Sequence, residues 1–121
     1  MENLSNLNNQ LTSKDLFGAF KIQLAKDFEQ SNFPSSFVEE LEPNYDRIHE
    51  KILFEVQRNK TKTDSNLMRL LNRIDISEAQ LNRYLNESKN ENRYNVIAEL
   101  IIKRVLQKVV IKQHYKNNET P

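Results

Sequence analysis

The strongest indication of the fold is the stretch YNVIAELIIKRVLQKVVIKQH, residues 94–114. Apolar side chains recur there at steps of three and four residues, which is the repeat of an α-helix. They form a wide face made of Ala98, Ile101, Ile102, Val105, Leu106 and Val109. Further apolar side chains lie on the other side of the helix: Ile97, Leu100 and Ile111. The β-branched residues at 105–112 would also suit a strand, but their continuity with residues 95–104 favours a helix. We therefore predict a long, broadly apolar C-terminal helix.

A helix that is apolar on more than one side is either central to a bundle or covered by a second subunit. In the first case its apolar side chains fill the core of one chain. In the second case we expect the row Ile101, Val105 and Val109 to bind a protein partner or another copy of the chain. The sequence leaves both arrangements open.

The rest of the chain continues the helical pattern. Its 121 residues are the usual size of one domain, and its single glycine argues against sandwiches and barrels, which need many tight turns. Apolar side chains at helical spacing predict helices that begin near Ser13, Pro43, Asp64 and Ser77. We predict an all-α fold, a small bundle of about five helices. Its parts are a flexible N-terminal segment at 1–12, a single helical domain at 13–116 and a flexible tail at 117–121.

The residues that most catalytic and metal sites need are missing from the sequence. There is no cysteine, which excludes disulfides, thiolate nucleophiles and thiolate metal ligands. His49 and His114 are far apart, and neither has a second histidine at ligand spacing. One glycine cannot build a phosphate-binding loop. We therefore expect no catalytic residue, no cofactor and no bound metal.

One acidic cluster offers an enzymatic alternative. Glu39, Glu40 and Glu42 lie close together, and paired carboxylates can perform acid–base chemistry when a pocket separates their pKa values. This alternative predicts a closed pocket that Glu39 and Glu40 share with His49. A solvated helix start explains the same cluster, because negative charge is favoured at that end of a helix.

The sequence also limits where the protein is expected to work. The N-terminus lacks the basic start and apolar stretch of a signal peptide. No apolar run approaches the roughly 20 residues that a membrane-spanning helix needs. We therefore expect a cytoplasmic protein without a membrane partner.

Charge is distributed unevenly along the chain, although the net charge is only +1. Residues 1–55 contain five basic and ten acidic side chains, a net charge of −5. Residues 56–121 contain 13 basic and seven acidic side chains, a net charge of +6. Either the two halves pack together and neutralise each other, or the chain binds an anion or another copy of itself.

Residues 67–85, LMRLLNRIDISEAQLNRYL, contain the clearest local signal. Ser77 and Gln80 have the spacing of a capping box, which starts a helix. The stretch resembles the helix-turn-helix of phage repressor and Cro-type DNA-binding proteins, since Ile76, Leu81 and Tyr84 match its apolar positions. The resemblance implies that the helix after the turn contacts nucleic acid. The implied contacts are Ser77, Gln80, Asn82 and Arg83.

The stretch departs from that motif at two positions. Asp75 occupies the place usually taken by glycine in the turn, and Leu71 occupies the place usually taken by alanine, where the helices approach closely. The same spacing also suits a simple bend in a helical bundle. The main hypothesis is therefore a non-catalytic, small helical interaction or accessory protein. The alternatives are a DNA-binding protein with a degenerate helix-turn-helix at residues 67–85 and an enzyme with a carboxylate-based site.

Overall fold

A computed structural model describes residues 4–58, 64–87 and 92–119 of the chain. Across these ranges the secondary structure consists of six α-helices and one 3₁₀ helix, with no strand. The α-helices are α1 (Leu4–Thr12), α2 (Lys14–Glu29), α3 (Tyr45–Arg58), α4 (Asp64–Arg73), α5 (Glu78–Glu87) and α6 (Arg93–Glu119). The 3₁₀ helix, Ser36–Glu40, lies between α2 and α3. The predicted all-α fold is confirmed, with six α-helices where the sequence predicted about five.

The helix α6 lies at the centre of the packing. It contacts α2 and α3 extensively and also contacts α5. Its buried side chains point to several sides of the helix: Val96, Ile97, Ala98, Leu100, Ile101, Ile102, Val105, Leu106 and Val109. Burial of apolar side chains stops at Val109, because Val110 is half-buried and Ile111 is 46% exposed. The helix α6 is therefore central to the bundle formed by a single chain.

The structure corrects the interaction surface expected on α6. Ile101 and Val105 are 0% exposed and Val109 is 2% exposed, so all three fill the core of a single chain. A second copy or another protein has no access to them unless the bundle opens. The sequence could not separate the two cases, because an apolar row looks the same whether its own chain or a partner covers it.

The N-terminal segment contains a helix. Residues 1–12 are predicted from the sequence to be flexible because they are polar, and the structure places α1 (Leu4–Thr12) within them. Leu7 and Leu11, one helical turn apart, are buried, and α1 packs on α2 and α3. The side chain of Asn8 accepts a hydrogen bond from the Tyr45 N–H at 2.9 Å. These contacts attach this polar helix to the bundle. At the other end, α6 continues to Glu119, into the segment expected to be a tail.

Two helices end sharply without a glycine. Asn32 after α2 and Asp75 after α4 have φ values of 65° and 64°, in the left-handed region. At α4 the Ile76 N–H reaches back to the Leu71 carbonyl oxygen at 2.8 Å, and the same pattern closes α2. Asn and Asp tolerate this conformation better than other residues with a side chain. The chain can therefore form compact helix ends with one glycine in its sequence.

None of the described helices combines the length and apolarity that a membrane span requires.

Replacing Leu11 with alanine tests whether α1 belongs to the core. Because Leu11 is 0% exposed, we expect the free energy of unfolding to fall by about 2–5 kcal/mol, the usual cost of such a cavity. Chemical denaturation followed by circular dichroism measures this change. Asn9→Ala, on the exposed side of the same helix, is the matched control. Equal stability of the two variants would show that residues 4–12 do not pack on the bundle.

Candidate functional site

Two of the four predicted nucleic-acid contacts have a structural role at the start of α5. The Gln80 N–H donates to Ser77 Oγ at 3.1 Å, and the Ser77 N–H donates to Gln80 Oε1 at 2.9 Å. The predicted capping box is thus confirmed. Because these oxygens already accept backbone hydrogen bonds, Ser77 and Gln80 are poorly placed to read a base edge without weakening the helix start.

The other two predicted contacts, Asn82 and Arg83, are exposed on α5. The exposed charged side chains of this helix are Glu78, Arg83 and Glu87, which give a net charge of −1. Phosphate contacts from Lys and Arg supply most of the non-specific affinity for DNA. The outer face of α5 lacks this positive charge. The nucleic-acid contacts therefore remain a prediction. The net negative charge of this face does not favour binding to DNA.

The residues of the carboxylate alternative do not share a pocket. Glu39 and Glu40 are exposed on the 3₁₀ helix. His49 is half-buried, and its Nε2–H donates to the Asn95 carbonyl oxygen at 3.0 Å. Glu40 lines an open groove that neither Glu39 nor His49 reaches. Within the described ranges, no three His, Asp or Glu side chains lie where they could hold one metal ion.

A groove with a basic character runs along α6, beside α5 and the α4–α5 turn. It has two adjoining parts of 340 Å³ and 300 Å³, which share Arg104 and Gln107. Its apolar lining consists of Ile74, Ile76, Tyr84, Leu100 and Ile111. Its basic lining consists of Lys103, Arg104, Lys108 and Lys112, and Asp75, Gln80 and Gln107 complete it. These residues define the basic groove, which has four basic side chains, one acidic side chain and a net charge of +3.

Most of the positive charge in the basic groove lacks a carboxylate partner. Lys103 Nζ pairs with Glu99 at 2.6 Å. The Arg104 guanidinium instead donates to the Gln107 side chain at 2.9 Å and to the Asp75 backbone carbonyl at 3.1 Å. Among the residues that the structure describes, no carboxylate lies within ion-pair distance of Arg104, Lys108 or Lys112. The groove therefore presents uncompensated positive charge over an apolar lining.

A buried polar cluster fixes one end of this groove. Asp27 on α2 is 0% exposed, and its Oδ1 accepts hydrogen bonds from Gln23 Nε2 at 3.0 Å and from Arg73 Nε at 3.1 Å. Gln23 Oε1 in turn accepts a hydrogen bond from Lys112 Nζ at 3.0 Å. The cluster thus connects α2, α4 and α6. It holds the end of α4 next to α6, and this places the turn at Asp75 along the groove.

The same cluster shows how little the two halves of the chain neutralise each other. Within the described residues, two ion pairs join residues 1–55 to residues 56–121: Arg73–Asp27, which connects two helices, and Arg58–Glu55, whose partners lie three positions apart on α3. The other two pairs connect residues three or four positions apart on one helix. Mutual neutralisation of the halves is therefore not the general explanation of the uneven charge.

Sequence reasoning missed both the cluster and the groove. Asp27 and Arg73 are 46 positions apart, and no local pattern connects them. The groove had one usable signal: Arg104, Lys108 and Lys112 are spaced by four residues, which places three cations along one face of a helix. None of these three residues is among the contacts predicted from the sequence.

Replacing Arg73 with leucine tests the cluster. The change leaves the buried Asp27 carboxylate without its cation, so we expect the free energy of unfolding to fall by about 3 kcal/mol, the lower end of the usual range for a broken buried pair. The double variant Asp27→Leu/Arg73→Leu should recover part of this loss, because no charge then stays buried. Urea denaturation of the single and double variants measures the coupling between the two positions.

The matched control is Arg69→Leu, on the exposed side of the same helix. It should change stability by no more than about 0.5 kcal/mol, as surface substitutions usually do. If Arg73→Leu behaves like Arg69→Leu, then Arg73 does not stabilise the carboxylate of Asp27.

Comparison of the chain with protein-family models, with curated proteins and with solved structures found no match.

Proposed function

We propose that the chain is a non-catalytic interaction protein that binds an acidic segment of a partner protein in the basic groove. The observation that carries the proposal is the row Arg104, Lys108 and Lys112, which lies beside apolar side chains and has no carboxylate partner in the described ranges. Charge of one sign favours a partner of the other sign and speeds the encounter with it.

The apolar lining favours a protein segment over a simple anion. Half-buried Tyr84 and Ile111, which is 46% exposed, offer contacts to apolar side chains, which a free phosphate does not have. Between Leu100 and Lys112 the helix α6 rises by about 18 Å, since each helical residue adds about 1.5 Å. A groove of this length fits about three turns of an amphipathic helix with apolar residues on one face and carboxylates at its edges.

The placement of the titratable side chains supports the non-catalytic part of the proposal. Glu39 and Glu40 lie in solvent, and the His49 ring donates to a backbone carbonyl. Neither arrangement resembles a pair of groups held together in a closed pocket, which acid–base chemistry requires.

DNA binding through α5 is the second candidate, and one observation favours it. Asp75 has the left-handed φ that the turn glycine of a helix-turn-helix supplies, so the backbone of the turn suits that motif despite the substitution. The net negative charge of the exposed α5 face acts against this candidate. A DNA duplex is therefore tested beside the peptide as a second ligand.

Fluorescence anisotropy with a labelled synthetic peptide tests the proposal. The peptide carries leucine at alternating steps of three and four residues and glutamate at most other positions, and the second probe is a labelled DNA duplex. We expect the full chain to bind the peptide, and Arg104→Glu/Lys108→Glu to weaken this binding at least about tenfold, because two attractive charges become repulsive. The affinity should also fall as salt is added.

The matched control is Lys14→Glu/Lys26→Glu, which makes the same change of charge on the exposed side of α2. It should bind the peptide nearly as well as the unmodified chain. The proposal is wrong if the unmodified chain does not bind the peptide, or if both variants lose binding equally. Tighter binding to the duplex, weakened by Asn82→Ala/Arg83→Ala, would support the DNA candidate instead.

A further inference from the structure

We infer that the partner in the basic groove is a second copy of this chain, which presents a surface of opposite charge. This inference rests on the proposed function of the groove, since it names the occupant of the same site. The surface of opposite charge is made by the 3₁₀ helix and the first turns of α3. Its exposed carboxylates are Glu39, Glu40, Glu42, Asp46 and Glu50, and we call it the acidic edge.

The acidic edge and the basic groove are matched in charge. Two exposed basic side chains, Arg47 and Lys51, lie among the five carboxylates of the acidic edge, so its net charge is −3. The basic groove has a net charge of +3. The two surfaces share no residue, so one molecule presents both at once. Electrostatic complementarity of this kind guides association and sets its orientation.

Little of this charge is neutralised within one molecule. Arg47 and Glu50 form a pair at 4.0 Å in which both side chains are more than two-thirds exposed, at 68% and 73%. Exposed pairs of this kind contribute little. Among the described residues, no ion pair involves Glu40, Glu42 or Asp46. Both surfaces therefore keep most of their charge available for a neighbouring molecule.

The acidic edge also carries an apolar side chain that suits the lining of the groove. Phe54 is 60% exposed and lies beside Glu40, Glu42 and Glu50. The Arg58 guanidinium lies 5.7 Å from the centre of its ring, and this cation stays near the edge of the contact. The basic side chains Arg47 and Lys51 line the same surface as Phe54 and the three carboxylates. An exposed aromatic ring with carboxylates beside it suits a groove with an apolar lining and a basic rim.

The predicted contact is heterologous, because it joins two different surfaces of identical chains. Each copy that places its acidic edge in a groove leaves its own groove open for another copy. The assembly should therefore grow with protein concentration and shrink as salt screens the charges.

Sedimentation velocity with the full chain and two charge-reversed variants tests this inference. The groove variant is Arg104→Glu/Lys108→Glu, and the edge variant is Glu40→Lys/Glu42→Lys. At low salt, we expect the apparent mass of the unmodified chain to rise above the monomer mass of 14.4 kDa as the protein concentration increases. Each variant alone should stay monomeric. A mixture of the two variants should form a one-to-one complex, because each variant retains one unmodified surface. Circular dichroism establishes that the variants are folded.

The control variant Lys14→Glu/Lys26→Glu should associate like the unmodified chain. The inference is overturned if the unmodified chain stays monomeric at low salt, if both charge-reversed variants still associate, or if their mixture forms no complex. Its failure is distinguishable from failure of the proposed function. A monomeric chain that binds the acidic peptide in its groove excludes the second copy and keeps the groove as a protein-binding site, whereas absence of peptide binding removes both.

Discussion

Burial of α6 on several sides is the constraint on which the rest of the structure depends. Ile97, Ile101, Ile102 and Leu106 are at most 1% exposed, and each fully buried aliphatic side chain contributes roughly 1.5–3 kcal/mol. The chain has no cysteine, so no disulfide limits its unfolded state, and burial of the whole apolar core is the main term that offsets the conformational entropy lost on folding. The helices α2, α3 and α5 take their positions from the surface of α6 that they cover. The candidate binding surface is the side of α6 that they leave partly open.

Stability and binding are therefore connected through the same helix. The cations Arg104 and Lys108 lie on α6, and their spacing is fixed by helical geometry rather than by a mobile loop. Lys112 also contacts Gln23 of the buried cluster around Asp27, which connects α2 to the end of α4. Because these charges are carried by an ordered helix, binding of a partner costs little backbone entropy. The acidic edge, in contrast, lies on the 3₁₀ helix and the start of α3, away from the groove.

The sequence predicted the features that depend on local pattern. The helical repeat of residues 94–114 predicted α6, and the spacing of Ser77 and Gln80 predicted the capping box at the start of α5. It missed α1, because the leucines of residues 4–12 stand among polar residues and cover little more than two helical turns, which gives a weak periodic signal. It also missed the contact between Asp27 and Arg73, since pairing across 46 positions depends on how helices pack. Periodicity shows which face of a helix is apolar, and it does not show what covers that face. This is why the row at Ile101 suited both a core and a subunit interface.

Native-state hydrogen exchange, measured amide by amide, tests the central position of α6 most directly. If α6 is the element that the other helices cover, the amides of Ile101, Ile102 and Leu106 exchange only when the whole molecule unfolds. Their opening free energy then equals the global free energy of unfolding, while amides of α4 and α5 open at lower free energy. The central position of α6 is contradicted if the α6 amides open at lower free energy than those of α4 or α5, because the remaining helices would then hold together without it.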